Sequence, residues 1–127
     1  MGDAVMNDRE LLEYAAKAAE LQIDKSAYNG GGVWNDGFDC MGNAVLDWHN
    51  GVTWNPLTDD GDALRLAAHL RLRIDCGLLT CEVHYNWDEV ESFGLVEIIT
   101  ERIAGKVMEG TRRAIVRAAA EIGKVMK

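Results

Sequence analysis

The stretch Thr100–Lys127, TERIAGKVMEGTRRAIVRAAAEIGKVMK, decides how the rest of the chain is read. At the ~100° advance of an α-helix, Ala104, Met108, Thr111, Ile115, Ala118, Ile122 and Met126 fall on one stripe. Arg102, Lys106, Arg113, Arg117 and Lys124 fall on the opposite one. The pattern predicts one long helix with an apolar face and a cationic face. Its small residues suit close approach by a neighbour, and its reach of roughly 40 Å exceeds what a small domain usually covers. Part of it is therefore expected to pack on a second copy of the chain. Gly105 and Gly110 act against a continuous helix, each costing about 1 kcal/mol relative to Ala. A break near Gly110 leaves a shorter helix, Thr111–Lys124, with the arginines still on one face.

Working outward, Asn7 and Glu10 have the spacing of a capping box, in which the cap side chain takes an orphan N–H and the acid reaches back. A first helix is expected to follow, with Leu11, Leu12, Ala15, Ala18, Ala19 and Gln22 on its apolar stripe and its end near Leu21. From Gln22 to Trp48 the pattern changes to short β-branched and aromatic runs alternating with turn residues, continuing through Val52-Thr53-Trp54, which predicts two or three short antiparallel strands. His49-Asn50-Gly51 is the best hairpin turn, because Asn-Gly tolerates the positive φ of a tight turn. Pro56 closes this region, and Thr58 or Asp59 can cap a second helix whose early acids complement its positive end. Ala63, Leu64, Leu66, Ala67, Ala68 and Leu70 mark that helix as mostly buried. Two strands are expected next, Arg71–Asp75 and Leu79–Tyr85, turning at Cys76-Gly77, with the alternation of Arg71, Arg73 and Asp75 against Leu72 and Ile74 leaving one face wet. Leu95–Ile99 reads as a last short strand or an early start to the final helix. The order α, β, β, α, β, β, α gives an α+β class, an antiparallel β-sheet flanked by helices.

With 127 residues, one proline and no low-complexity run, the chain is expected to form a single folded domain spanning 1–127. A net charge of −8 disfavours DNA, RNA and anionic membranes as partners, and a cationic stripe within an acidic molecule favours a local, shaped anion site. Cys40, Cys76 and Cys81 cannot all pair with one another, and neither a secretory signal nor a long apolar run is visible. A reducing cytoplasm is the simplest setting. There is no CxxC, and His49, His69 and His84 lack the close pair spacing of zinc sites, so no metal and no cofactor are expected.

Arg112, Arg113 and Arg117 carry the strongest local signal. Arg113 and Arg117 are one turn apart, so two planar guanidinium forks can converge on one phosphate or pyrophosphate. The plainer alternative is a solvated helix face with surface pairs to Glu109 and Glu121. At the Trp54-Asn55 corner, the indole offers a stacking face and the amide a donor and an acceptor for a base edge, unless Trp54 simply fills the core under a helix cap. Asp59, Asp60 and Asp62 are better explained by helix capping than by ribose or cation binding. Gly30-Gly31-Gly32 fits neither GxGxxG nor a Walker A motif and reads as a hairpin tip. Trp34, Trp48, Trp87, Tyr28 and Tyr85 are open between core, interface and stacking roles, and His69 reads as a half-buried structural histidine. No nucleophile, base and orienting acid stand in a catalytic arrangement, so no enzymatic activity is expected.

Three segments taken together resemble a group of small tailed-phage and prophage proteins: Glu10-Leu11-Leu12 with Ala15–Ala19, the block WNPLTDDGDALRLA at Trp54–Ala67, and TRRAIVRAAAEIG at Thr111–Gly123. They cover about a third of the chain. Within that group the chain is most similar to the Thoeris anti-defence one family, sponges that bind a cyclic ADP-ribose isomer, and in some members cyclic oligonucleotides, without cleaving them. The resemblance implies a helix and antiparallel-sheet fold in the host bacterial cytoplasm, long C-terminal helices joining protomers, and homo-oligomers from dimer to hexamer. It further implies a pocket between protomers where an arginine pair grips the phosphates, matched here by Arg113 and Arg117. Tyr85, Trp87, Phe93 and Trp54 are the candidates for the aromatic that stacks on the purine. The rival expectation is a phage accessory protein that binds and inhibits a host protein through its acidic surface.

Overall fold

The computed structural model describes residues 6–25, 37–47, 49–77, 79–85, 97–102 and 106–126. Along the chain these form α1 (Asp8–Ala18), β1 (Ala44–Asp47), β2 (Val52–Trp54), α2 (Asp60–Leu70), β3 (Arg73–Cys76), β4 (Thr80–Tyr85), β5 (Glu97–Arg102) and α3 (Val107–Val125). The class is α+β. The strands divide into two antiparallel sheets, a β1–β2 hairpin and a β3–β4–β5 meander. None of the described helices is long and apolar enough to cross a membrane.

The capping box at the start of α1 forms: Asn7 Oδ1 accepts from the Glu10 N–H at 2.8 Å, and Glu10 Oε1 accepts from the Asn7 N–H at 3.1 Å. The helix ends at Ala18 rather than near Leu21. Glu20 takes a left-handed φ of 60°, and the Leu21 N–H closes back on the Ala16 carbonyl at 2.9 Å, satisfying an orphan acceptor of the last turn. The first hairpin turns where Asn-Gly predicts. Gly51 has φ 67°, and the Asp47 carboxylate accepts from Asn50 Nδ2 at 2.7 Å and from its N–H at 3.3 Å, which holds the Asp47 carboxyl below its ordinary range.

The C-terminal helix is shorter than the periodicity predicts. Residues 97–102 belong to β5, which pairs with β4 from Tyr85↔Glu97 to Thr80↔Arg102. The β-branched run Ile98-Ile99-Thr100 favours a pleated strand, and pairing with β4 satisfies its backbone where an isolated helical extension would not. Arg102 is therefore a strand residue, and α3 spans 19 residues, roughly 28 Å. Gly110 does not break it: the helix runs straight through, with Gly110 buried.

The faces of α3 also differ from the expected two stripes. Met108 is 51% exposed, while Ala114, Ile115, Val116, Ala118, Ala119, Ala120 and Ile122 are all buried. Small side chains let this helix be covered on several sides at once, by α1, α2, β4 and β5. Its closest approach is to α1, where Gly123 lies against the Tyr14 carbonyl so tightly that a Cβ has no room. Lys17 of α1 donates to the Met126 carbonyl at 2.7 Å and ties the ends of the two helices together.

The second helix is half-exposed rather than mostly buried. Ala63, Leu66 and Ala67 enter the core, but Leu64 is 67% exposed and Ala68 is also on the surface. Asp59 is the N-cap, accepting from the Asp62 N–H at 2.8 Å. One continuous cluster of buried side chains joins α1, the first hairpin, α2, β4 and α3.

Candidate functional site

The corner Trp54–Asp62 links the first hairpin to α2, and its hydrogen bonds explain its irregular sequence. Asn55 is buried and holds the turn from inside. Its Oδ1 accepts from the Leu57 N–H at 3.0 Å, its Nδ2 donates to Asn43 Oδ1 at 3.0 Å, and its carbonyl accepts from the N–H groups of Thr58 and Asp59. Its own N–H donates to Asp62 Oδ2 at 2.9 Å. Both ends of the Asn55 amide are thus engaged within the chain, in place of the base edge considered above.

From α3, Arg112 reaches across to the same corner. Its Nε donates to the Leu57 carbonyl at 2.8 Å and its NH1 to Asp60 Oδ1 at 2.6 Å, with only 17% of the side chain exposed. Arg112 is a strut between two elements. Arg113 points elsewhere, to Asp8 in the first turn of α1 at 3.1 Å. Arg117 is half-buried one turn further along α3. Arg112 and Arg113 pair with Asp60 and Asp8 rather than with Glu109 and Glu121, and the Arg112 side chain is largely enclosed.

On the other side of the corner lies an open groove of about 390 Å³. Trp54, Leu21, Leu46, Val52 and Leu66 give it apolar walls, and Asp62, Arg65 and His69 of α2 supply polar groups. Trp54 is 5% exposed, so it serves the core and lines the groove at once. Arg65 is 72% exposed, paired with Asp62 at 2.7 Å and with Asp59 at 3.9 Å. His69 is half-exposed, its Nε2 3.7 Å from Glu20 Oε1. The structure therefore brings Trp54 together with Arg65 and His69, and not with Arg112, Arg113 or Arg117, none of which lines this groove. Tyr85 ends β4, its side chain outside the described set; Trp87, Phe93, Trp34, Trp48, Tyr28 and Gly30–Gly32 also lie outside the described residues.

Sequence reasoning passed over Arg65 and took His69 as structural. The signal was present: Asp62, Arg65, Leu66 and His69 stand three, four and seven apart, on one helical face. A second polar group, Asp75, Glu82 and His84, also went unseen. Three residues scattered along the sequence meet because β3 and β4 pair in a register that sets Asp75 opposite Glu82 and Arg73 opposite His84.

On the opposite face of the same sheet, Cys76 and Cys81 are cross-strand partners with sulfurs 3.5 Å apart, and Cys76 Sγ lies 3.5 Å from the Thr111 hydroxyl. Burial pushes the Cys81 thiol up to about 11, the nearby Cys76 adding to the effect and Thr111 opposing it. A thiol held protonated in this way is a small hydrophobe rather than a nucleophile. No family model, curated protein or solved structure matches this chain.

Proposed function

We propose that this chain is a binding protein that sequesters a small anionic, ring-bearing ligand of the cyclic-nucleotide class without cleaving it. The observation that carries the reading is the groove beside Trp54: its volume of about 390 Å³ falls within the range of small-molecule sites, with apolar walls for a base and sugar. Arg65 and His69 on one face of α2 offer a guanidinium and an imidazole to phosphate oxygens. Arg65, itself 72% exposed, would exchange its pair with Asp62 for a phosphate, the largely enclosed Asp62 carboxylate keeping the Asn55 N–H as a donor. Tight binding without turnover calls for such contacts and for no base or nucleophile. The cyclic ADP-ribose isomer, the oligomer from dimer to hexamer and the host bacterial cytoplasm are parts of this proposal that rest on the resemblance alone.

A second reading, a phage accessory protein that binds and inhibits a host protein, is favoured by one observation. Arg112 and Arg113 are each already paired with a carboxylate of the same chain, as a structural role requires.

The deciding experiment incubates the purified protein with cyclic ADP-ribose isomers and with cyclic di- and trinucleotides, removes free ligand, denatures by heat and identifies what is released by mass spectrometry. Intact cyclic nucleotide is expected from the wild type, and retention should fall by more than about tenfold in an Arg65→Ala, His69→Ala variant. An Arg113→Ala, Arg117→Ala variant should retain it. Loss in the α3 variant alone would move the site to that helix. Release of nothing in any case would sink the groove reading, and a stoichiometric host protein recovered by affinity purification would put the second reading in its place.

A further inference from the structure

We propose that Asp75, Glu82 and His84 form a binding site for one divalent transition-metal ion of the Zn²⁺ type, on the face of the β3–β4 hairpin turned away from the core. The register sets Asp75 directly across from Glu82, and two like charges in that position disfavour the hairpin unless something neutralises them. Arg73 does so weakly: its NH2 is 3.5 Å from Asp75 Oδ2, with 74% of the arginine side chain exposed.

His84 stands two residues along from Glu82 and completes the group. Its Nε2 is 3.5 Å from Asp75 Oδ2 and 3.4 Å from Glu82 Oε1. That nitrogen is buried and makes no hydrogen bond, although two carboxylates face it. A buried ring nitrogen that makes no hydrogen bond costs about 1–3 kcal/mol, which a ligand accepting its lone pair would recover.

A metal ion resolves both difficulties. One ligand atom from each of the three side chains lies within 4.8 Å of the others. Tetrahedral Zn²⁺ with bonds of 2.0–2.1 Å sets its ligands about 3.3 Å apart, close to the 3.4 and 3.5 Å observed from Nε2 to the two oxygens. One imidazole and two carboxylates suit Zn²⁺, Co²⁺ or Mn²⁺, whereas Ca²⁺ and Mg²⁺ prefer oxygen donors alone. Three protein ligands leave the fourth position for water or for an exogenous anion. The site stands on a different sheet from the Trp54 groove, and its existence does not depend on what that groove binds.

The test is titration of the metal-free full-length chain with Zn²⁺ by calorimetry and with Co²⁺ by visible absorption. One ion per chain is expected, with the strong visible bands of four-coordinate Co²⁺ and affinity for Mg²⁺ weaker by more than about a hundredfold. His84→Ala, Glu82→Gln and Asp75→Asn should each lower Zn²⁺ affinity by more than about tenfold, and Zn²⁺ should raise the melting temperature of the wild type only. Should His84→Ala fail to fold, the near-isosteric Glu82→Gln and Asp75→Asn variants decide. Absence of Zn²⁺ binding at roughly millimolar concentration, or binding abolished by Cys76→Ser and untouched by the other three substitutions, would overturn the proposal.

Discussion

Two arginines meet at the Trp54–Asp62 corner and do different work. Arg112, from α3, is largely enclosed and makes two short hydrogen bonds, to the Leu57 carbonyl and to Asp60. Arg65, from α2, is 72% exposed and pairs with Asp62 at the lip of a groove. A guanidinium that is largely enclosed and doubly hydrogen-bonded holds the fold together, and releasing it would leave a carbonyl and a carboxylate without their donor. A guanidinium in water adds less stability, and because the enclosed Asp62 keeps the Asn55 N–H as a second donor, Arg65 is free to exchange that partner for a ligand. The difference is one of surroundings, which a residue name does not carry.

Arg112 depends on the seam that fixes α3 against α1, and the largest effect is expected there. Gly123→Ala places a methyl against the Tyr14 carbonyl, which is backbone and cannot rotate aside. The substitution gains about 1 kcal/mol in helix propensity but is expected to destabilise by about 3 kcal/mol net, as α3 is pushed off α1. Urea unfolding measures it, and an unchanged midpoint would show the seam to be looser than described. Next comes Arg112→Ala. It should cost about 2 kcal/mol by the same assay while leaving groove affinity within about twofold, since Arg112 does not line the groove. A loss of ligand without a loss of stability would erase the contrast between the two sides.

A milder effect is expected at the start of α3, beneath Thr111, the residue before Arg112. Burial holds the Cys81 thiol up near 11 against an ordinary value of 9.0. For an acid whose folded value is raised, the stabilising contribution is complete below the unfolded value and is lost as pH rises towards the folded one. Stability should therefore decline from about pH 9 to about pH 11, and the decline should flatten in Cys81→Ala. At pH 8 iodoacetamide should label the exposed Cys40 and Cys76 and spare Cys81 until urea is added, which peptide mass spectrometry reads directly. Labelling of Cys81 in the folded protein would mean that the α3 side of the corner is open.

Features set by neighbouring residues were legible in the sequence. The Asn7–Glu10 box, the Asn50-Gly51 turn and the Asp59 cap all form, because each needs only a few adjacent backbone groups. The α+β class followed from their order. The start of α3 was not legible, since residues 100–102 fit a helical stripe and became strand through pairing with β4, a partner some twenty residues away. The exposure of Leu64 and Met108 was hidden for a related reason: apolar periodicity marks a face but not whether another element covers it. At the candidate site, Trp54 was named from its chemistry and does line the groove. Spacing along α3 shows which arginines are neighbours, but not that Arg112 and Arg113 pair with Asp60 and Asp8, which come from distant turns. The Asp75–Glu82–His84 group was invisible for want of the strand register.

The smallest expected effect on stability is also the sharpest test of the comparison. Arg65→Ala removes a guanidinium exposed to solvent, and the largely enclosed Asp62 loses the donor to Oδ1 but keeps the Asn55 N–H on Oδ2. The change in unfolding free energy should stay below about 1 kcal/mol, under that of Arg112→Ala. Under the groove reading the same substitution should weaken cyclic-nucleotide retention by more than about tenfold, the inverse of what Arg112→Ala does. Two arginines on opposite sides of one corner would then separate stability from binding. A more strongly destabilised Arg65→Ala would instead mean that the Arg65–Asp62 ion pair helps to brace α2 against the corner. The groove would in that case be a by-product of packing rather than a site kept open for a ligand.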